Sequence, residues 1–380
     1  MKILMVAIPN HHFFQWVNQL ENFGFDVFWF DATDGGPKSD KINWVNQIKG
    51  WKLKWDFPFR TSLKKNWPKL YCFLQRYNEN NVSKEFEKVL QKINPDIVHC
   101  FEMKLTGIPI LSVMEQNMIP LIYSSWGSDM FNFHNLGVSK QETKNFLHRT
   151  NYLITDCKRD YNIAKKNGFN NNFLGVFPGN GGLQIDVSKI KSLNERSIIL
   201  IKGYEDGIGK ASVVLKALEL VKPTILKDKC IIIYSADLIL ESQIKSSKIL
   251  SKLPITFYSR YNFVTNYKLL ELMGESCIYI GNSISDGLPN GLLEAMAMGA
   301  FPIQSNPGNV TEEIVKNGEN GFLIQNPLDE KEISQLIENS LNDKFLRKNA
   351  QDYNVNFIDE NYNRNELQAK IVKLYNTILN

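Results

Sequence analysis

Two acidic residues lie eight positions apart in the most informative segment of the chain, Asp286 in a glycine- and proline-rich turn and Glu294 beyond it. The apolar run Cys277–Ile280 precedes the turn, and a helical pattern runs from Gly291 to Gly299. This order predicts the carboxyl edge of a parallel sheet, where helix N-termini bind phosphate-bearing ligands. Both carboxylates are therefore expected within reach of the hydroxyl groups of one bound ligand. A solvated helix face is the alternative for Glu294 taken alone.

A glycine-rich stretch with two lysines, from Lys202 to Lys210, follows another apolar run and opens a helical pattern. A strand-to-helix turn of this composition suits a diphosphate. The stretch is not a Walker A loop, because Tyr204 stands where a glycine is required. It is not a dinucleotide fingerprint either, because Ser212 stands in place of the third glycine. Two surface lysines are the alternative interpretation.

The acidic and glycine-rich segments need elements that position them, and the alternation of apolar runs with helical patterns predicts those elements. Continuous apolar runs indicate strands covered on both faces, and the βαβ rhythm is that of a doubly wound fold. The strand candidates are Ile3–Ile8, Val27–Phe30, Ile97–Phe101, Leu121–Ser124, Tyr152–Thr155, Ile198–Ile201, Cys230–Tyr234, Ile255–Tyr258, Cys277–Ile280 and Phe301–Gln304. The rhythm restarts after a weakly patterned, polar stretch near Asp186–Arg196, which predicts two domains.

We therefore predict an α/β chain with two Rossmann-like doubly wound domains facing a cleft. Residues 1–188 form the first domain and residues 189–363 the second in this interpretation. A C-terminal helix over 364–380 is expected to pack back on the first domain. The length of 380 residues and the 43% apolar content suffice for two cores.

Composition excludes several classes of protein. The 44 Lys and Arg against 40 Asp and Glu give a net charge of only +4, too small for a nucleic-acid-binding surface field. Five cysteines without a CxxC pair suggest neither a disulfide framework nor a zinc site. The apolar start ends at Pro9 without a cleavage-site pattern, and no run reaches the about 18 apolar residues of a membrane span. A cytoplasmic protein, at the inner face of the cell membrane, is expected.

The segment around Asp286 resembles retaining glycosyltransferase family four, the glycosyl transferases group 1 of GT-B fold. That family's pattern is an acid, seven residues, then Glu-Ala-Met-Ala-x-Gly, and here Glu294 begins the second part. The similarity continues in order through Pro302, Ser305, Gly308, Glu312, Glu313 and Gly318–Leu323. It extends well over Ser197 to Leu341 and only loosely over the first domain. Asp286 stands where the family has Glu.

The resemblance implies that residues 1–188 form the acceptor-binding domain and residues 189–363 the nucleotide-sugar-binding domain. It also implies roles for individual residues. Asp286 contacts hydroxyl groups of the donor sugar, Glu294 holds the ribose, and Lys202 and Lys210 neutralise the leaving diphosphate. The catalytic residues are then Asp286, Lys210 and Lys202. The donor-binding residues are Glu294, Gly287, Leu288, Asn290, Gly291 and Gly203. Turn and cap duty alone is the alternative for the glycines.

The first domain offers a weaker set of acceptor- or sugar-side candidates. Asn10 and His11 follow the first strand, where the family has a glycine-rich loop that faces the acceptor. Trp126 and Asp129 follow another strand, and the family often has a histidine at the Trp126 position. His134 is the nearby residue that would substitute for it, with a structural role as the alternative.

Neither a metal nor a cofactor is expected. No Asp-x-Asp triplet is present to hold a divalent ion, while lysines and helix-end amides can stabilise the leaving group without one. The donor is expected to be a UDP-sugar or GDP-sugar. The family's mechanism is front-face attack, in which the departing phosphate helps to activate the acceptor.

A local patch indicates the acceptor's surroundings. Residues 49–76 carry eight basic residues and one acid, Asp56, interleaved with aromatic residues. Such a mixture suits a membrane interface, and a lipid-linked acceptor would be reachable there. A packed lid with solvated lysines is the alternative.

We therefore interpret the chain as a retaining glycosyltransferase of hexosyltransferase type that acts in surface polysaccharide or glycoconjugate assembly. Its partners are a nucleotide-sugar donor and a glycan or lipid-linked acceptor, and nucleic acid is not among them. The alternatives are a nucleotide-sugar epimerase or phosphorylase of the same fold, or an inactive nucleotide-sugar-binding module. An epimerase would convert the donor without an acceptor, and an inactive module would bind without turnover.

Overall fold

The computed structural model describes residues 1–262 and 264–378, and they divide into two compact units. Unit 1 comprises residues 1–156, 160–181 and 368–378, and unit 2 comprises residues 157–159 and the described part of 182–367. Each unit is built around its own parallel sheet.

The described residues of unit 1 contain a seven-stranded parallel sheet in the order β3-β2-β1-β4-β5-β6-β7. The strands are β1 Lys2–Ala7, β2 Asp26–Asp31, β3 Asn46–Ile48, β4 Ile97–Phe101, β5 Leu121–Ser124, β6 Tyr152–Thr155 and β7 Asn172–Val176. The helices of the first half are α1 His11–Val17, α2 Arg60–Asn66, α3 Pro68–Asn78, α4 Val82–Ile93, α5 Ile108–Met114, α6 Ser128–Phe131, α7 Lys140–Arg149 and α8 Lys158–Lys166. A π-helical turn at Met103–Gly107 precedes α5. Nearly every residue of β1 and β4 is buried, because helices cover both faces of the sheet.

The described residues of unit 2 contain a six-stranded parallel sheet in the order β10-β9-β8-β11-β12-β13. The strands are β8 Ile198–Lys202, β9 Cys230–Ala236, β10 Ile255–Ser259, β11 Ser276–Gly281, β12 Phe301–Ser305 and β13 Phe322–Ile324. The helices of the second half are α9 Ala211–Leu220, α10 Pro223–Leu226, α11 Leu238–Ser246, α12 Asn266–Gly274, α13 Asn290–Ala297, α14 Glu330–Asn342, α15 Lys344–Tyr362 and α16 Arg364–Ile378, and most of α16 belongs to unit 1. Two apolar clusters form its core.

The prediction of two Rossmann-like doubly wound domains is confirmed, because in each sheet the first three strands run outward from the centre and the chain then crosses to the other side. The predicted strands occur at their expected places, with ends that shift by a residue or two. The short edge strands β3, β7 and β13 were not predicted. β3, with the sequence Asn-Gln-Ile, has no apolar run that would mark it.

The division between the units falls earlier in the chain than the predicted boundary at 188/189. Unit 1 is left at Gly181, and Leu183 already donates its backbone N–H to Tyr362 O of unit 2 at 2.8 Å. The helix predicted over 364–380 is α16, whose residues from Gln368 onward belong to unit 1. There Tyr375 accepts a hydrogen bond from Trp16 Nε1 at 3.0 Å. Residues 379 and 380 lie outside the described residues.

Across residues 1–262 and 264–378, none of the helices has both the length and the apolar character needed to cross a membrane.

Candidate functional site

The two segments that carry the sequence motifs lie side by side in unit 2. β8 and β11 are neighbours in the sheet, so the loops after them meet at its carboxyl edge. Lys210 N donates to Asn282 O at 3.0 Å, and Ile284 N donates to Ile208 O at 3.0 Å. The Asn282 side chain also donates to Lys210 O at 3.1 Å. These bonds fix the glycine-rich loop against the segment that leads into the turn with Asp286.

A cation and a carboxylate face each other at this edge. Lys202 Nζ at the end of β8 lies 3.9 Å from Asp286 Oδ2, and both side chains are partly exposed. Burial raises the pKa of Asp286, and Lys202 and the Gly287 amide lower it by less. Burial lowers the pKa of Lys202, but Asp286 and nearby phenols raise it by more, so its pKa rises overall and the ammonium stays charged.

Glu294 projects from α13 in a half-buried position. Its Oε1 accepts a hydrogen bond from Asn266 Nδ2 at 3.0 Å. Burial raises the pKa of Glu294 to about 7, although the hydrogen bond from Asn266 and the charge of Lys202 favour its ionised form. Within residues 1–262 and 264–378, no protein group donates to Oε2 of Glu294, so this oxygen can accept hydrogen bonds from ligand hydroxyls.

Two glycines allow close backbone approach in the site. A Cβ atom at Gly203 would lie 2.6 Å from Ala236 Cα, at the point where the chain leaves β8. A Cβ atom at Gly291 would lie 2.8 Å from the Tyr279 hydroxyl and 3.0 Å from the Tyr234 hydroxyl. The start of α13 can therefore sit on this tyrosine pair only with glycine at position 291.

The other predicted donor-side residues lie in the loop between β8 and α9 and in the turn between β11 and α13. Lys210 is the N-cap residue of α9, and its half-buried side chain has no ion-pair partner in the part of the chain that the structure describes. Gly287 N donates to Asp286 Oδ1 at 3.0 Å, which orients the carboxylate. Leu288 is buried, and Asn290 is the first residue of α13.

In unit 1 the predicted residues after β1 begin a helix. The Asn10 side chain accepts a hydrogen bond from Phe13 N at 2.8 Å and so caps α1. His11 is exposed at the first position of the helix. The neighbouring His12 ring lies 6.1 Å from the ring of Trp126, which brings the loops after β1 and β5 together.

The two candidates after β5 differ in accessibility. Trp126 is half-buried, with its ring 5.9 Å from that of Phe101. Asp129 is only 3% exposed and accepts hydrogen bonds from the Tyr123 hydroxyl at 2.7 Å and from the amides of Met103 and Trp126, both at 2.9 Å. Burial raises the pKa of Asp129. Asp129 thus holds two loops together rather than facing a ligand.

His134 lies further along the same segment and is exposed. Its ring packs on the adjacent Phe133, with the centroids 3.9 Å apart. Its ring does not contact that of Trp126 in the part of the chain that the structure describes, so these two predicted residues are not brought together.

Sequence reasoning missed several residues of the unit 2 site. Asn266 and Arg260 come from segments that carry no motif, and the hydroxyl groups of Tyr234 and Tyr279 meet at 3.2 Å from strands β9 and β11. A sequence signal for Arg260 was present, because it lies two residues after the predicted strand Ile255–Tyr258 and so falls on the same sheet edge. No sequence signal marked Asn266, because the residue that it contacts, Glu294, is 28 positions away in the chain.

Two family profiles match the chain. The profile described as Glycosyl transferases group 1 matches residues 240–357, which include the turn, α13 and Arg260. The profile described as Glycosyl transferase 4-like matches residues 73–157 in the first half. No curated protein sequence matches the chain.

Several similar solved structures cover nearly the whole chain. Sucrose-phosphate synthase from Thermosynechococcus elongatus is 13% identical with a TM-score of 0.73, covering 100% of this chain and 99% of its own. Anabaena HepE, solved with UDP and glucose, is 13% identical with a TM-score of 0.67, covering 99% and 100%. The lipopolysaccharide outer core galactosyltransferase WaaB is 14% identical with a TM-score of 0.68, covering 100% of both chains. At these identities the similarity establishes the two-domain GT-B fold.

Proposed function

With a group 1 glycosyl transferase region on a GT-B fold, this chain is a glycosyltransferase, and we propose that it transfers a sugar from a nucleotide diphosphate sugar with retention of configuration. The acceptor is proposed to be a glycan or a lipid-linked glycan in surface polysaccharide or glycoconjugate assembly. The observation that carries the proposal is the cluster of Lys202, Asp286 and Glu294 at one sheet edge.

In the proposed reaction the acceptor hydroxyl oxygen bonds to the anomeric carbon of the donor sugar. The bond from that carbon to the phosphate oxygen breaks, and its electron pair leaves with the nucleoside diphosphate. Lys202 and Lys210 stabilise the negative charge that develops there, and the acceptor proton passes to the departing phosphate. Asp286 holds hydroxyl groups of the sugar, and Glu294 holds the ribose, with Gly203, Gly287, Leu288, Asn290 and Gly291 shaping the pocket.

The leaving-group chemistry is proposed to need no metal. Lys202 lies beside Asp286 and Lys210 is the N-cap residue of α9, so positive charge is already in place before reaction. The experiment is a thermal-shift titration with UDP, GDP and ADP, with and without EDTA, because a ligand that binds the folded state raises its melting temperature. UDP is the first choice, since Anabaena HepE was solved with it.

Transfer itself separates this proposal from its alternatives. Radiolabelled donor is incubated with total lipid and glycan extracts as acceptors, and the anomeric configuration of the product is read by NMR. Product with the donor's configuration supports retention. Donor conversion without acceptor would instead indicate an epimerase, and nucleotide binding without any turnover would indicate an inactive binding module.

A membrane contact is proposed for the surface formed by residues 49–76 in unit 1. Helix α2 has no buried residue, and Phe59 and Trp67 at its two ends are 84% and 65% exposed. Lys64 and Lys65 are exposed on the same helix. Exposed aromatic rings among cations suit the interface of an anionic bilayer, to which each cation contributes about 1 kcal/mol. This would place the enzyme at the inner face of the cell membrane.

Sedimentation with lipid vesicles tests this contact. The protein is expected to co-sediment at low salt with phosphatidylcholine vesicles that contain phosphatidylglycerol, and far less with phosphatidylcholine alone. The Lys64→Glu, Lys65→Glu double variant should lose binding. Lys245→Glu, which changes an exposed lysine of unit 2, is the matched control. Failure of the wild type to bind the anionic vesicles would remove the proposal.

A further inference from the structure

Arg260 lies at the edge of unit 2 where three neighbouring strands end. It directly follows β10, and its backbone N–H donates to Ala236 O at the end of β9 at 3.0 Å. β10, β9 and β8 are consecutive in the sheet, so their carboxyl ends lie at one edge. The arginine side chain can therefore reach the loop after β8 that contains the two candidate lysines.

The guanidinium contacts that loop at two residues and the end of β9 at a third. Its Nη1 donates to Asp237 Oδ1 at 3.0 Å and lies 3.5 Å from Asp206 Oδ2. Its carbon lies 4.6 Å from the centre of the Tyr204 ring, a cation–π distance. Lys202 Nζ lies 4.7 Å from the same ring, so Tyr204 contacts both cations.

The two carboxylates that Arg260 contacts in turn bind the backbone of the loop. Asp237 Oδ2 accepts from Glu205 N at 2.7 Å. Asp206 Oδ1 accepts from Gly209 N at 3.0 Å and from Ile208 N at 3.3 Å. The loop conformation between Lys202 and Lys210 thus depends on carboxylates that Arg260 holds in place.

Charge gives Arg260 a second effect. Without it, Asp206 and Asp237 would add two uncompensated negative charges beside the loop, and a nucleoside diphosphate approaching it would be repelled. An exposed ion pair is worth little by itself, but a guanidinium shared by two carboxylates and a ring forms a network.

We infer that Arg260 is a positioning residue for the donor site: it fixes the Tyr204–Gly209 loop so that Lys202 and Lys210 meet the diphosphate, and it offsets the charge of Asp206 and Asp237. This inference rests on the proposed function for its ligand, but its first effect concerns the protein without any ligand. The two effects can therefore be tested separately.

Hydrogen–deuterium exchange of the nucleotide-free protein tests the positioning effect. In Arg260→Ala the amides of Glu205, Ile208 and Gly209 should exchange about tenfold faster, since contacts of this kind set local opening. Lys245→Ala, which breaks only a surface ion pair with Glu241, should leave them unchanged. Arg260→Lys should restore part of the protection, because one ammonium cannot satisfy both carboxylates and the ring. Unchanged exchange in Arg260→Ala would overturn the positioning role.

Calorimetry with UDP, and with GDP and ADP if UDP does not bind, tests the effect on the ligand. Arg260→Ala should weaken binding about tenfold or more while the melting temperature of the free protein stays near that of wild type. In Arg260→Gln with Asp206→Asn, the charge is partly rebalanced, so affinity should recover more than exchange protection does. Wild-type affinity in Arg260→Ala would overturn the inference. Binding of none of the nucleotides by wild type would contradict the proposed function instead, and the exchange result would still decide whether Arg260 positions the loop.

Discussion

The carboxyl edges of the two sheets use their acidic residues differently, although both sheets have the same central strand order. In unit 2, Asp286 and Glu294 stay partly accessible, next to Lys202 and Asn266. In unit 1, Asp129 is buried and accepts hydrogen bonds from a tyrosine hydroxyl and two backbone amides. One edge keeps its carboxylates available to a ligand, and the other uses its carboxylate to hold loops.

The difference teaches that a carboxylate after a strand is a candidate site only if some of its hydrogen-bonding capacity stays available. A buried carboxylate must have partners, because leaving it unpaired is costly. At Asp286, burial raises the pKa of the carboxyl group and the neighbouring Lys202 lowers it by less. The carboxylate remains partly exposed, which leaves room for a ligand. The unit 1 edge offers aromatic surface at Trp126 and His12 instead.

Lys210→Ala should have the largest effect on activity, and it tests whether the unit 2 edge is the reactive one. Turnover is expected to fall by about 100-fold, because a cation that stabilises the departing diphosphate is lost. The control is Lys216→Ala, an exposed lysine of α9, the helix that Lys210 precedes as N-cap residue. This variant should keep wild-type turnover. Steady-state kinetics of both variants measure the turnover. Unchanged turnover in Lys210→Ala would show that this lysine does not stabilise the leaving group.

Glu294→Ala should weaken donor binding by roughly 1–3 kcal/mol, about 5- to 150-fold, because ribose hydroxyls lose their acceptor. Glu241→Ala, which changes a partly exposed glutamate of the same unit, is the control. Calorimetry with UDP measures the change. Donor affinity equal to that of wild type would contradict the assigned role.

The same residue predicts a pH dependence. Burial raises the pKa of Glu294 to about 7, so its carboxylate is formed as the pH rises through that value. Wild-type affinity for UDP should therefore increase between about pH 6 and 8 and then level off. Glu294→Gln cannot titrate and should show no such increase. An identical pH profile in both proteins would show that another group controls binding.

Asp129→Ala tests the unit 1 side, where stability rather than ligand binding should change. The Tyr123 hydroxyl and the amides of Met103 and Trp126 lose their acceptor, at a cost of roughly 1–3 kcal/mol for a buried unsatisfied group. Denaturant titration measures the free energy of unfolding, with the exposed Asp56→Ala as control. If Asp129→Ala kept wild-type stability but lost acceptor binding, the contrast between the two edges would fail.

EDTA should have the smallest effect. The rise in melting temperature with UDP is expected to be the same with and without the chelator, because lysines and helix-end amides supply the positive charge in the proposed site. Loss of the shift with EDTA, restored by added Mg²⁺ or Mn²⁺, would show that a divalent ion takes part in donor binding.

The sequence by itself determined the two doubly wound domains and the core of the unit 2 site. Continuous apolar runs mark strands covered on both faces, and Asp286, Gly291 and Glu294 lie in one turn and helix, so their proximity follows from local structure. The same holds for Lys202 and Lys210, at either end of one loop.

Only the tertiary structure decided which residues from distant parts of the chain come together at the carboxyl edges of the two sheets. The contacts of Asn266 with Glu294 and of Arg260 with Tyr204, and the burial of Asp129, depend on the order of strands in the sheet and on side-chain packing. The edge strand β3 also escaped prediction, because its pairing with β2, rather than an apolar pattern of its own, makes it a strand. The local sequence pattern determines the relative positions of residues that are close in the chain. Contacts between residues far apart in the chain exist only once the sheet has formed.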